Sequence, residues 1–164
     1  MKSVILFRHS ETNYTASNGY DHDRLLTENG IKIAKKMGVY LSNINIIPDL
    51  IISSSALRAK ETAMLAKYSG EWDSDFKLEK GIYGGNPDFI INLLSNQSNN
   101  LDSICITGHE PHLSSFICKI SNEHYLEFPV ASIAKIDFMI TDWNNINFNN
   151  AIIDKIIKYR DILN

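Results

Sequence analysis

The apolar residues fall into short continuous runs over the first two thirds of the chain and alternate with polar residues over the last third. Residues 4–7, 50–52 and 104–107 form three such runs, and each stops abruptly at polar residues. Strands that are buried on both faces of a parallel sheet have this pattern. We therefore predict three buried parallel strands at these positions.

Segments with helical spacing of apolar residues lie between and after these strands. The first begins at Thr27 as N-cap, and the second covers residues 56–63 with Ser55 as N-cap. The third opens at Asn86-Pro87, a cap residue followed by proline at the first helical position. The apolar positions of the first, third and last helices are Ile31, Ala34, Met37 and Leu41, then Ile90, Leu93 and Leu94, then Leu113, Phe116, Ile117 and Ile120.

The period changes after residue 124. Residues 125–128 and 133–140 alternate between apolar and polar side chains, which predicts half-buried or edge strands, with Ile146 and Phe148 as a further strand. Residues 151–163 are spaced for a closing helix, although their isoleucines also suit a strand. Together the elements predict one α/β domain over residues 1–164, a three-layer α/β/α sandwich around a mostly parallel sheet.

Composition and charge narrow the class of protein. With 44% apolar and 21% charged residues, the chain has the composition of an ordinary globular protein. A net charge of −3 and a pI near 5.9 argue against a nucleic acid or an anionic membrane as partner. No apolar run approaches the ~20 residues of a membrane span, and the first run, which ends at Arg8, is too short for a signal peptide. Cys105 and Cys118 lack CxxC spacing, which predicts reduced, buried thiols and a cytoplasmic location.

Basic side chains follow all three predicted strands. Arg8 and His9 come directly after the first strand, Arg58 lies in the first turn of the helix after the second, and His109 follows the third. Right-handed crossovers keep such strands parallel, so their carboxyl ends share the edge at which open α/β sheets carry functional groups. Two arginines, two histidines and a helix N-terminus therefore predict a compact cationic pocket for an anion.

A phosphoryl group suits this pocket. Guanidinium groups match phosphoryl oxygens in a bidentate way, so we predict no metal and no cofactor. The cation beside His9 disfavours the protonated imidazole and leaves a nucleophile that can carry a phosphohistidine intermediate. The leaving group then needs an acid, and Glu79, in the turn-prone segment 78–85, is the candidate. His112 lies three residues after His109 but lacks the HExxH order, which makes it a poor metal ligand.

These residues resemble the signatures of the histidine phosphatase superfamily, in its phosphoglycerate-mutase-like branch. The matches run in the family's order from residue 4 to about residue 140 and cover most of the chain. Residues 6–12 resemble the family's Arg-His-Gly-Glu-Thr motif, and Leu26-Thr27 with Gly30 resembles its Leu-Thr-x-x-Gly element. Residues 53–63 resemble its Ser-Ser-x-x-x-Arg-Ala-x-x-Thr-Ala segment. Leu78-Glu79 with Tyr83-Gly84 resembles the segment that supplies the acid, and Gly108-His109 resembles the second histidine.

The resemblance implies a role for each candidate residue. His9 would be the phospho-accepting nucleophile, and Arg8, Arg58 and His109 would bind the phosphoryl group. Glu79 would donate the proton, and His109 would belong to the catalytic set together with His9 and Glu79.

Within the family, the chain looks most like the small SixA-type phosphohistidine phosphatases. The resemblance lies in its short length and in residues 132–134 after the second histidine. Two positions depart from the family pattern. Ser10 replaces the usual glycine, which is expected to tighten the turn beside His9, and Thr15 replaces an asparagine that helps to hold phosphate.

The resemblance implies a metal-independent phosphatase, and its substrate is less determined. The chain has no room for an insertion that would roof the pocket over a small molecule, so we expect a phosphohistidine on a signalling protein. A small phosphate ester is the alternative substrate, and a phosphate-binding regulator without turnover is the alternative from another class. Residues 21–24 are either a recognition element near the site or a solvated loop.

Overall fold

Six strands form one sheet in the computed structural model, which describes residues 1–163. The strands are β1 (Lys2–Arg8), β2 (Leu50–Ser54), β3 (Asp75–Glu79), β4 (Ser103–Gly108), β5 (Ile133–Phe138) and β6 (Ala151–Ile157), and the helices are α1 (Glu28–Asn43), α2 (Leu57–Ser69), α3 (Pro87–Ser95) and α4 (His112–Ser121).

The strand order is β3-β2-β4-β1-β5-β6. The first four of these strands are mutually parallel, whereas β5 and β6 run antiparallel to their neighbours. The carboxyl ends of β1, β2, β3 and β4 therefore meet at one edge of the sheet. The predicted fold class, an α/β protein with a mostly parallel sheet, is confirmed.

Both faces of the sheet are covered, which explains the continuous apolar runs. Val4 and Leu6 of β1 face a core formed with α3 and α4, whereas Ile5 and Phe7 face the core formed with α1 and α2. All four side chains are at most 1% exposed. Since full burial of such a side chain stabilises a fold by about 1.5–3 kcal/mol, β1 is a central stabilising element as well as the strand that leads to His9.

Two predicted helix starts are confirmed by their caps. Thr27 precedes α1 and its side chain accepts a hydrogen bond from Gly30 N, and Asn86 precedes α3 and accepts from Phe89 N. The predicted cap of α2 is wrong: Ala56, not Ser55, occupies the N-cap. The reason is that β2 extends to Ser54, whose hydroxyl accepts a hydrogen bond from the Ala56 amide at 3.2 Å.

Three other element predictions are wrong. Leu78 and Glu79 are the last residues of β3, not a connector, because they pair with Ser53 and Ser54 of β2. Residues 151–163 form β6 followed by a short 3-10 helix, because the isoleucine-rich segment pairs with β5; the closing helix is wrong and the strand alternative is confirmed. Residues 125–128 and the region around Ile146 are loops and 3-10 turns, not strands; Phe128 and Ile146 reach the core from them as single side chains.

The two cysteines are free thiols in different surroundings. Cys105 is buried in β4, and burial raises the pKa of its thiol to about 12. Cys118 lies on α4 and is half-buried, so the prediction of two buried thiols holds for Cys105 alone. Among residues 1–163, the structure contains no helix with the length and apolar character needed to cross a membrane.

Candidate active site

The sheet brings four predicted site residues together at one edge. Arg8 is the last residue of β1 and His9 follows it, His109 follows β4, and Arg58 lies in the first turn of α2. Because β1 and β4 are adjacent and parallel, the His9 amide donates to the Gly108 carbonyl at 3.1 Å. The imidazole rings of His9 and His109 lie 5.4 Å apart, centre to centre, and are tilted by 49°.

The imidazole of His9 has a fixed orientation and a defined tautomer. Its Nδ1 lies 2.8 Å from the Ser10 carbonyl oxygen, which can only accept, so the hydrogen-bond network assigns the proton to Nδ1 and a lone pair to Nε2. Burial lowers the pKa of His9 to about 4; the Arg58 and Arg8 charges act in the same direction and the hydrogen bond to Ser10 opposes them. At neutral pH, Nε2 is therefore an uncharged nucleophile. Burial, more than the neighbouring cation, produces the neutral form that the sequence predicts.

This pKa gives a testable titration. The measurement is nitrogen-detected NMR of the folded protein. Between pH 8 and about pH 4, we expect the imidazole signals of His9 to remain those of the neutral Nδ1–H form. In the urea-unfolded chain the histidines should titrate near ~6.5, the reference value. Since the unfolded chain binds the proton first, the free energy of unfolding should fall as the pH drops from ~6.5 towards 4. Titration of folded His9 near the reference value would contradict the buried geometry.

His109 presents an N–H group to the same space. Its Nε2 lies 2.8 Å from Ser54 Oγ, which already accepts a hydrogen bond from the Ala56 amide. Nε2 is the only acceptor within reach of the Ser54 hydroxyl in the described chain, so we assign the hydroxyl as donor and the His109 proton to Nδ1. Burial, together with the charge of Arg58, lowers the pKa of His109 to about 3. His109 is thus a neutral donor, suited to bind an anion and unsuited to act as an acid.

The two arginines are anchored through part of their donors. Arg58 is 6% exposed and donates from Nη1 to the Asp21 carbonyl at 2.8 Å and from Nη2 to the Asp21 carboxylate at 3.1 Å. Arg8 donates from Nη1 to the Phe128 carbonyl at 2.9 Å, and its pKa is lowered by burial. Positive charge at this edge comes from guanidinium groups; among residues 1–163, no three His, Cys, Asp or Glu side chains are placed to hold a metal ion.

Four buried side-chain atoms of the described chain have no hydrogen-bond partner, and three of them belong to these predicted residues. They are Arg8 Nε, Arg58 Nε, His109 Nδ1 and Ser132 Oγ. Ser132 lies beside Arg8, whose amide donates to the Ser132 carbonyl at 3.0 Å. An unpaired buried polar atom costs about 1–3 kcal/mol, so four of them in residues that follow or precede strands at one sheet edge suit an anion as the missing partner. Residues 132–134 resemble the SixA-type enzymes in sequence, but the place of Ser132 beside Arg8 depends on the pairing of β5 with β1 and is not predicted.

Ser10 fits the position at which the family has glycine. Its hydroxyl donates to the Gly30 carbonyl at 2.7 Å, and its amide donates to Thr62 Oγ1 at 2.9 Å. Its φ is not positive, so the serine side chain causes no backbone strain there. The contacts join the segment after His9 to both α1 and α2. The side chain of Ser10 adds one hydrogen bond to this turn, and the effect of the replacement on activity stays a prediction.

Neither Glu79 nor Thr15 makes a hydrogen bond to His9, Arg8, Arg58 or His109. Glu79 ends β3, which is separated from β1 by β2 and β4, and its carboxylate accepts a hydrogen bond from the Gly81 amide at 2.9 Å. Glu79 therefore shares the functional edge, and its role as proton donor stays a prediction. Thr15 is exposed in the segment after β1, and its effect on phosphate binding also stays a prediction.

Asp21 begins a 3-10 turn, Asp21–Asp23, that packs onto the site. Besides Arg58, its carboxylate accepts hydrogen bonds from the Tyr83 hydroxyl and from Arg24 at 3.0 Å. The Tyr83 hydrogen bond, with those of Arg24 and Arg58, holds the pKa of Asp21 well below its usual range. In the same turn, His22 Nε2 lies 2.9 Å from Ser55 Oγ. This turn is therefore part of the site's rim and is not a solvated loop.

A family model agrees with this geometry. The model of the histidine phosphatase superfamily (branch 1) matches residues 4–81, the segment that contains Arg8, His9 and Arg58. Among curated proteins, the chain is similar to an uncharacterized chloroplastic protein of Arabidopsis thaliana, with 29% identity over 128 residues. That match covers 77% of this chain and 56% of the relative, so the chain spans little more than half of the relative's length.

Solved structures share the fold over nearly the whole chain. The protein histidine phosphatase SixA in complex with tungstate superposes with a TM-score of 0.83 at 18% identity, covering 97% of this chain and 98% of the other. A phosphoserine phosphatase of Entamoeba histolytica, in complex with 3-phosphoglyceric acid, gives a TM-score of 0.68 at 16% identity, covering 96% and 98%. The model of the histidine phosphatase superfamily (branch 1) thus matches residues 4–81, and the chain as a whole shares its fold with these solved structures.

Proposed function

We propose that this chain is a metal-independent phosphatase that forms a phosphohistidine intermediate at His9 and removes phosphate from phosphohistidine on a protein. One observation carries the proposal: Arg8, Arg58, His109 and Ser132, each with a buried side-chain polar atom that lacks a partner, meet at the sheet edge of His9, whose imidazole is neutral and held by its Nδ1–H. Donors in this arrangement stabilise the spread negative charge of a phosphoryl group in transfer.

In the first step, the lone pair of His9 Nε2 attacks phosphorus. A P–N bond forms on His9 while the P–N bond to the substrate imidazole breaks, and its electron pair stays on the leaving nitrogen. If the substrate ring enters with a proton on its other nitrogen, it leaves as neutral imidazole. His9 becomes a phosphorylated imidazolium that keeps its Nδ1–H hydrogen bond to Ser10.

In the second step, a water oxygen attacks the same phosphorus. The P–N bond to His9 breaks, its electron pair returns to Nε2, and the proton of the water leaves with phosphate or passes to solvent. His9 is then neutral again, with Nδ1–H still bonded to the Ser10 carbonyl. His109 and the arginines hold the phosphoryl oxygens in both steps and transfer no proton.

The leaving group favours phosphohistidine over an ester. An alkoxide leaving group needs a proton in the transition state, for which general acids contribute about 10²–10⁴-fold. The carboxylate of Glu79 accepts a hydrogen bond from the Gly81 amide, and β2 and β4 lie between its strand and that of His9. A protonated imidazole leaves without such help. The fold shared with the protein histidine phosphatase SixA supports phosphohistidine as the substrate.

A small phosphate ester is the second candidate substrate, because Glu79 lies at the functional edge and the fold is shared with a phosphoserine phosphatase. In that case Glu79 must act as the acid. A regulator that binds phosphate without turnover is the third candidate. It needs cationic donors and has no use for a nucleophile held in one tautomer, as His9 is.

The test is phosphate release from a phosphohistidine peptide and from an alkyl phosphate such as phosphoserine, with Glu79→Gln as the variant. For the phosphohistidine peptide we expect turnover and a change below about threefold in Glu79→Gln, because no acid is required. If the alkyl phosphate is the better substrate and Glu79→Gln lowers its turnover by about 10²–10⁴-fold, the ester hypothesis replaces ours. Binding of tungstate without turnover of either substrate would support the regulator.

A further inference from the structure

We infer that Asp21 selects the leaving group: its carboxylate accepts a hydrogen bond from the protonated ring nitrogen of a substrate phosphohistidine. The inference rests on the proposed function and assigns a specificity-determining residue to it. Asp21 is the one carboxylate that hydrogen-bonds a guanidinium of the anion site within the described chain.

The position of Asp21 is at the mouth of the site. The side chain of Asp21 is 52% exposed, whereas that of Arg58, its partner at 3.1 Å, is 7% exposed. Tyr83 connects the mouth to the interior, because its hydroxyl donates to Asp21 and its ring edge packs on His109 with centres 5.5 Å apart. A group that leaves phosphorus opposite the buried His9 moves outward, towards this rim.

Asp21 and a phosphoryl group can use Arg58 together. A guanidinium carries five N–H donors, and Asp21 accepts two of them, one at its carbonyl and one at its carboxylate. Arg58 Nε is buried and unpaired, so it stays available for a phosphoryl oxygen while the carboxylate remains in place. The turn therefore does not need to open for the substrate to bind.

The sign of the charge at the mouth discriminates between leaving groups. Arg24 and Tyr83 also face the carboxylate, and their hydrogen bonds keep Asp21 ionised and oriented. An ester places developing negative charge on its leaving oxygen, which a fixed carboxylate repels. A protonated phosphohistidine ring carries positive charge, which the same carboxylate attracts. The interior of the site thus favours an anion and its rim favours a cation.

The proton balance follows from this arrangement. The N–H of the substrate ring donates to Asp21 before and after the transfer, and no proton passes to the carboxylate. When the P–N bond breaks, its electron pair neutralises the ring, which leaves with the same N–H. By favouring the protonated ring, Asp21 raises the share of substrate that can leave as neutral imidazole at a given pH.

The test compares Asp21→Asn with wild type on two substrates. Asparagine keeps an oxygen for Arg58 and Tyr83 and removes the charge. For a phosphohistidine peptide at pH 7 we expect kcat/KM of Asp21→Asn to be at least tenfold lower than that of wild type. For an aryl phosphate we expect kcat/KM to be equal or higher. The alkaline decline of kcat/KM on the peptide should also shift to lower pH in Asp21→Asn.

Asp75→Asn is the matched control, since Asp75 is an exposed carboxylate at the start of β3, at the opposite edge of the sheet. We expect it to change neither substrate by more than about threefold. An equal fall on both substrates in Asp21→Asn, or the same pattern in Asp75→Asn, would overturn the inference and leave the phosphatase intact. Absence of wild-type turnover on the phosphohistidine peptide would instead overturn the proposed function.

Discussion

His9→Ala is expected to lower phosphate release by at least about 10⁴-fold, the range seen when a covalent nucleophile is removed. The substitution deletes the Nε2 lone pair and leaves the four unpaired donors of Arg8, Arg58, His109 and Ser132 in place. Binding of inorganic phosphate, measured by calorimetry, should therefore change by less than about tenfold. Wild type should in addition give a transient, acid-labile phosphoryl adduct in intact-protein mass spectrometry, which the variant lacks.

His124→Ala is the matched control because His124 is exposed in the loop after α4. We expect its turnover to stay within about twofold of wild type. Turnover that survives in His9→Ala would mean that another group attacks phosphorus. Turnover in His9→Ala that is rescued by added imidazole would confirm a missing nucleophile in an intact site.

Gly30→Ala is expected to destabilise the fold by at least about 2–3 kcal/mol, because inserted atoms in a packed contact are costly. A Cβ at Gly30 would lie 2.0 Å from the Glu11 carbonyl oxygen, a backbone atom that no side-chain rotation can move away. Relief therefore requires α1 to separate from the segment after β1. That segment contains Ser10, whose hydroxyl donates to the Gly30 carbonyl.

Urea unfolding and phosphate release measure the two consequences of Gly30→Ala. The midpoint of unfolding should fall, and the folded fraction should show lower kcat because His9 Nδ1 depends on the Ser10 carbonyl for its orientation. Gly84→Ala is the control, since a Cβ at Gly84 meets nothing within 4 Å and its φ is −117°. Equal stability of the two variants would contradict the tight contact at Gly30.

Residues that follow buried strands could be predicted from the sequence. Arg8, His9 and His109 come directly after continuous apolar runs, and parallel strands bring such positions together whatever the details of packing. Arg58 could be located in the same way, since a helix must follow β2. The error at Ser55 shows the limit of this reasoning, because a strand two residues longer moved the cap to Ala56 without moving Arg58 from the first turn.

Residues 21–24 and 132–134 stand out in the sequence, but the partners of Asp21 and Ser132 could not be predicted, because they depend on contacts between distant segments. Ser132 reaches the site through the antiparallel pairing of β5 with β1, and Asp21 reaches Arg58 across 37 positions of the chain. The tail is a similar case. The isoleucines of residues 151–157, at positions 152, 153, 156 and 157, are compatible with a helix or a strand, and this segment forms a strand because it pairs with β5.

The sheet ends on both sides in strands that resist extension. On one side, β3 carries exposed Asp75 and a Lys77 that is bonded to Gln97. On the other, β6 carries Asp154 and Lys155, and Lys135 of β5 lies 3.1 Å from Asp154 beside a break in the β5–β6 register. Charged side chains and irregular pairing oppose the addition of a further strand. These features oppose edge-to-edge association between copies of this chain.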